Sequence, residues 1–231
     1  MLTRAHACRS LRRGALAVCL AAGVAAVLAG CGGSSENGIA SKSASEILAA
    51  SKVAAASASS VHLHTTSGEV VLDMKLASSG GSGELKLSSE TIEMIRTGST
   101  FYIKATPTLY QKLGINAKVP ADTWLKLPVS TIPQLAAFTE KPQQLGRLLN
   151  VTTVTKGKTT TVEGQKAVEL QQKLKVYTRT LYVAATGKPY PLQTVLTGQV
   201  AGKTTLSEWD KPVTITAPAK SVAVEVSKPA R

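Results

Sequence analysis

Between Val61 and Thr216 the apolar residues of this 231-residue chain recur chiefly at every second position, and that period decides the fold class. A period of two marks a strand with one buried and one wet face. In Glu69–Leu76, residues Val70, Leu72, Met74 and Leu76 share one face, while Glu69, Asp73 and Lys75 share the other. The run Ser78–Gly83 reads as a hairpin connection. Leu85 and Leu87 then alternate with Glu84, Lys86 and Ser88, and Ile92 and Met94 with Thr91, Glu93 and Ile95. After a turn at Gly98-Ser99, Phe101, Ile103 and Ala105 alternate with Tyr102 and Lys104. The pattern predicts an antiparallel meander with one apolar face.

A second strand series is expected at Val151–Thr155, Thr159–Val162, Ala167–Gln172, Arg179–Ala184, Leu192–Thr197, Thr204–Trp209 and Val213–Thr216. Trp124–Leu127 adds a short strand stopped by Pro128, and Val222, Val224 and Val226 suit a weak edge strand. Helical spacing is confined to four places. Ile47, Leu48, Ser51, Ala54, Ala55 and Ala58 predict a thin, Ala-rich helix capped by Ser43 or Ser45 and ending near Ser57. Pro107–Asn116 reads as a short helix or loop. Thr131–Phe138 and Pro142–Leu149 read as two short helices, each with a proline in its first turn. About 10–12 strands with one apolar face do not stay flat and open. The expected architecture is therefore α+β: a strongly curved antiparallel sheet, a half-barrel, wrapped around the N-terminal helix and the two short central helices.

The first 30 residues follow a different logic. Arg4, Arg9, Arg12 and Arg13 precede an apolar run of about 14 residues, Gly14–Val27. That is short of the ~20 needed to span a bilayer, and matches the hydrophobic part of a signal sequence. It ends in Leu28-Ala29-Gly30-Cys31, which reads as a lipobox: Leu28 fills an apolar subsite and the small Ala29 and Gly30 admit the backbone to a peptidase. Cys31 then carries the diacylglyceryl thioether. Two acyl chains give durable anchoring where one is marginal. Cys8 and Cys19 lie in the leader, so the chain beyond residue 30 has one cysteine and no internal disulfide. The organisation expected is a cleaved lipoprotein signal peptide at 1–30, acylated Cys31 with a flexible tether to residue 43, one domain at 44–218 and a loose tail at 219–231. The tether would reach roughly 20 Å. The protein would be anchored in the cell membrane through Cys31, its domain extracytoplasmic and monomeric.

The leader holds four of the 27 basic residues and none of the 14 acids, which leaves a net charge of +9 beyond it. That balance suits anionic headgroups or envelope polymers, or simply solvates the strand faces. Nucleic acid is not expected, because no basic cluster is interleaved with aromatics. His62 and His64 share one strand face, yet a metal site needs a third ligand and no Cys, His or Asp cluster supplies it at a recognisable spacing. Gly80-Gly81-Ser82-Gly83 lacks the second glycine of a nucleophile elbow. No catalytic constellation, metal or cofactor is expected.

The order of these features resembles the actinobacterial LppX/LprG-type lipoproteins, related in fold to the Lol lipoprotein carriers. The matching features are the lipobox, the helix at Ala44–Ala58 leading into Ser60-Val61-His62, the strand Gly98–Lys104, and Trp124 opening a short strand. Tyr182-Val183 followed by Gly187-Lys188-Pro189 and the closing Ser207–Val213 run complete the match. The resemblance covers most of residues 44–218 and implies a half-barrel and helices enclosing an apolar cavity that holds acylated lipids or glycolipids. It carries no catalytic residues. The apolar positions Val70, Leu72, Met74, Leu85, Leu87, Ile92, Met94, Phe101 and Ile103 then have two readings, a packed core or the wall of a lipid pocket. Two functions accordingly stand: lipid binding or transfer, and a non-catalytic surface interaction or sensor lipoprotein with a filled core and a protein partner.

Overall fold

A computed structural model describes residues 35–115, 119–120 and 122–223. The lipobox Leu28–Cys31, with the signal peptide before it, and Val224 and Val226 lie outside the described residues. The strands are β1 (Ser60–Ser67), β2 (Val70–Ala77), β3 (Gly80–Leu87), β4 (Glu90–Thr97), β5 (Thr100–Lys104), β6 (Trp124–Pro128), β7 (Thr155–Val162), β8 (Gln165–Lys173), β9 (Tyr177–Ala184), β10 (Pro191–Gly198), β11 (Gly202–Ser207) and β12 (Ser221–Ala223). The helices are α1 (Ala44–Ser57), α2 (Pro107–Lys112), α3 (Pro133–Ala136), continued by a 3-10 turn at Ala137–Thr139, and α4 (Lys141–Leu149).

Among the described residues, twelve strands form one curved, unclosed sheet in the order β12-β6-β5-β4-β3-β2-β1-β11-β10-β9-β8-β7. The fold is an α+β half-barrel. Two meanders, β1–β6 and β7–β11, meet where β1 pairs antiparallel with β11, and the α3–α4 segment carries the chain from the end of the first to the start of the second. Tight turns set the register. Glu163 and Gly164, at φ 48° and 76°, form the two-residue link between β7 and β8 that right-twisted strands prefer. Alternation places Val61, Leu63, Leu76, Met74, Met94, Phe101 and Ile103 in the interior at no more than 1 % exposure. Ile47 of α1 is fully buried with them. Among the described residues no helix is long and apolar enough to cross a membrane.

Five expectations are corrected. Gly80–Gly83 is not a connection but the first half of β3, because Ser78 and Ser79 alone make the turn. The tether does not extend to residue 43. Glu36 bridges Thr186, the Asn37 amide donates to the carbonyls of Ala184 and Gly187, both at 3.0 Å, and Ile39 is 2 % exposed. Lys166 pairs with Glu36, and Lys156 Nζ donates to the carbonyls of Ala40 and Lys42, so a segment whose composition reads as coil is seated by several long-range partners. Val213–Thr216 is not a strand, since β11 is already paired on both sides, with β1 and β10. The tail is not wholly loose: Ser221–Ala223 pairs in parallel with β6 and covers what would otherwise be a sheet edge. In the second meander, Val151–Val154 precede β7 instead of forming a separate strand.

Candidate functional site

The nine positions with two readings divide by depth. Leu72, Met74, Leu85, Ile92, Met94, Phe101 and Ile103 are between 0 % and 6 % exposed and belong to one continuous apolar cluster with α1 and α4. Leu87 is half-buried and Val70 is 38 % exposed. The last two pair with each other at the end of β2 and β3 farthest from their connecting turn, where Leu87 packs against the rim of the cluster. The open space lies elsewhere.

A groove of about 660 Å³ runs between α1 and α4, within the ~300–1,000 Å³ usual for a small-molecule site. The sequence of each helix explains it. Ser43 accepts from the backbone N–H of Glu46, whose side chain accepts from Ser43 N–H at 2.9 Å, so α1 opens with a reciprocal cap. Its inner face is small, with Ala54 and Ala55 buried, and leaves room for a neighbour. Helix α4 starts with Pro142 in its first turn and buries Lys141, Leu145 and Leu149, spaced four apart, on one face. The floor of the groove is Ala55, Leu145 and Leu149, and its polar lining includes Lys52, Lys141 and Arg147.

Each cation is held. Lys141 Nζ donates to the carbonyls of Ala58 and Ala56 at the C-terminal end of α1, where a positive charge meets the helix dipole. Burial pushes its ammonium below the ordinary lysine value, opposed by the charge of Asp210. Lys52 Nζ donates to the carbonyl of Val151 at 3.2 Å, and the Arg147 guanidinium lies 5.6 Å from the centre of the Phe138 ring. Among the described residues that line the groove, none is a carboxylate. An apolar floor beside cations without acidic partners suits a ligand with an apolar body and an anionic end. Periodicity treated these helices as cover for the sheet; the signal it left unused was two basic residues flanking the buried Leu145.

A second groove of about 610 Å³ is walled by Tyr190 and Trp209. Their rings stack at 4.6 Å and 5°, and Trp209 Nε1 donates to the carbonyl of Pro191 at 3.2 Å. Asp210 fastens this corner. Its Oδ1 accepts from Ser59 N–H at 2.8 Å, and its Oδ2 from Lys188 Nζ at 2.8 Å and from the Tyr190 hydroxyl. The Lys188 hydrogen bond, then those from Tyr190 and Ser59, hold the Asp210 carboxyl far below the usual carboxylate range.

His62 and His64 meet on Asp73, at 2.8 Å and 2.9 Å to its two oxygens. Burial raises the Asp73 carboxyl, and the hydrogen bonds from the two histidines outweigh it, so the net shift is downward. Among the described residues no group of three or more His, Cys, Asp or Glu has a metal-holding arrangement.

No family model matches the sequence, and no curated protein matches it by sequence. Solved structures do match. LprF from Mycobacterium bovis is 19 % identical with a TM-score of 0.57, over 76 % of this chain and 97 % of that one. The lipoprotein LppX from Mycobacterium tuberculosis is 14 % identical with a TM-score of 0.52, over 74 % of this chain and 99 % of that one. The fold is that of the LppX/LprG-type lipoproteins. Within that LppX/LprG-type half-barrel, the motif residues Trp124, Lys188 and Trp209 are framework. Trp124 opens β6, between β5 and β12, and the other two brace the corner around Asp210.

Proposed function

We propose that this chain is an envelope lipoprotein, anchored through acylated Cys31, that binds or transfers an amphiphilic lipid or glycolipid in the groove between α1 and α4. The observation that carries the reading is the α1–α4 groove itself, with its alanine and leucine floor and with Lys52, Lys141 and Arg147 lining it without a carboxylate among the described residues. Acyl chains would lie along Ala55, Leu145 and Leu149, and the cations would meet an anionic headgroup. The net +9 beyond the leader favours approach to an anionic membrane surface, and the family resemblance implies the same class of ligand.

The test is mass spectrometry on protein made with Cys31→Ser, which frees the domain from its own acyl groups. The expected result is a co-purifying lipid in a fixed ratio to protein, lost when Leu145 is replaced by Glu. A lipid-free protein that takes up no lipid from vesicles would overturn the reading. The intact mass of the unaltered protein should correspond to a chain starting at Cys31 with acyl groups attached.

One observation favours a second reading, a non-catalytic surface interaction or sensor protein. The interior positions Met74, Met94, Phe101 and Ile103 are at 0 % exposure, and Leu174, Val176 and Val200 are apolar and between 41 % and 46 % exposed. That reading gains if no lipid binds.

A further inference from the structure

The dry face of the sheet carries a hydroxyl patch that packing alone does not call for. Following the cross-strand register along one row of the concave face, the residues run Leu85, Leu72, Thr65, Thr204, Thr194 and Leu181. Threonines on alternate positions elsewhere face water; these three sit on the inner side, with Thr194 and Thr204 at 4 % and 5 % exposure. Thr65 and Thr204 satisfy each other through their hydroxyls at 2.9 Å. The Thr194 hydroxyl is buried and has no hydrogen-bond partner among the described residues, and neither does Nε of Arg179. A buried donor left unpaired costs free energy that a valine or leucine in its place would not.

Both unpaired groups belong to residues that line one small pocket of about 80 Å³, together with Thr65, Thr204, Ser67 and Leu148 of α4. That volume is several times the ~10–15 Å³ that a single water requires, yet far too small for an acyl chain. The guanidinium is positioned, since Arg179 Nη1 donates to the carbonyl of Asn150 at the end of α4 at 3.3 Å. Among the described residues that line the pocket, none is a carboxylate. Hydroxyl donors and an oriented guanidinium around a space of this size match the oxygens of a tetrahedral oxyanion, which arginine binds through charge-assisted hydrogen bonds.

We propose that this pocket, walled by Thr194, Thr204 and Arg179 beneath α4, binds a phosphoryl group. As a lipid headgroup site, it rests on the lipid reading above and takes the phosphate itself, the cations of the α1–α4 groove then meeting other anionic groups of the headgroup; as a site for free phosphate, it stands without that reading. The two sources share one chemistry and are separated by experiment.

The full chain in uncharged detergent micelles is titrated with inorganic phosphate by calorimetry, and separately loaded from mixed micelles of phosphatidic acid or of uncharged diacylglycerol. Thr194→Val keeps the shape and removes the hydroxyl; Arg179→Gln removes the charge; thermal unfolding checks that each variant is folded. Inorganic phosphate bound by the wild type and weakened about tenfold in both variants supports the site with free phosphate as its source. Phosphatidic acid retained by the wild type and lost in both variants, with diacylglycerol retention unchanged, supports it with a headgroup as source. Phosphoryl binding absent from the wild type, or unaltered by Thr194→Val, overturns the proposal and shows the pocket to hold water only. Retention of diacylglycerol in that last case leaves the lipid reading standing; loss of both removes both.

Discussion

At the scale of single residues, Asp210 shows how much one side chain in a loop can organise. It sits at φ 59°, a left-handed conformation that Asp and Asn tolerate better than other side-chain-bearing residues. From there it joins the start of β1, through Ser59, to the link between β9 and β10, through Lys188 and Tyr190. The sequence displays Ser207–Val213 as a motif and cannot display its partners, because Ser59 lies 151 positions away. The pH dependence follows from the shift. The folded carboxyl is depressed below its unfolded value of ~3.9, so its contribution is present above that value and is lost as pH falls toward the folded pKa. Asp210→Asn preserves size and the left-handed backbone but not the charge. The variant should unfold at lower urea than the wild type at pH 7, the gap should narrow below pH ~4, and high salt should shrink the pH 7 gap because the group is exposed. A gap that is the same at pH 7 and pH 3 would mean that the charge is not what Asp210 supplies.

Secondary-structure elements were legible to the extent that their cause was local. Helix α1 lies where its spacing and Ser43 cap place it, and β2, β4 and β5 where alternation does. Glycine misled in β3 because its role there is not local. The 3-10 turn after α3 lies directly on that strand, and a Cβ added to Gly81 would come within 2.5 Å of the carbonyl oxygen of Thr139. A run that looks like a loop is thus a strand kept bare so that another segment can touch its backbone. Likewise, a Cβ on Gly157 in β7 would meet the Glu169 carboxylate at 2.6 Å. Replacing Gly81 by Ala should cost about 1–3 kcal/mol, the range for overpacking a tight interior. Equilibrium urea unfolding measures it. A neutral result would show that the 137–139 turn moves away freely.

For the whole molecule, alternation identifies a concave apolar face but not what covers it, because the space between sheet and helices is set by how α1 and α4 dock. Ile92, Met94 and Phe101 are core for that reason, and the groove forms one layer out, where Ala55 faces Leu145 and Leu149. Its charge is therefore the property to test. Lys52 and Arg147 project from exposed positions on α1 and α4, so reversing both perturbs neither the core nor the buried Lys141. The variant Lys52→Glu with Arg147→Glu replaces two cations by two anions around an unchanged apolar floor. Partly exposed charge pairs contribute ~0.2–1 kcal/mol each, and two reversals together should weaken binding of lysophosphatidylglycerol about tenfold. Binding of an uncharged monoacylglycerol of the same chain length should change little, and the wild-type preference for the anionic lipid should fade as salt is raised. Titrations followed by fluorescence or calorimetry give both constants. Equal losses for the two lipids would place the effect in the shape of the groove, and no loss for either would move the ligand away from α1 and α4 altogether.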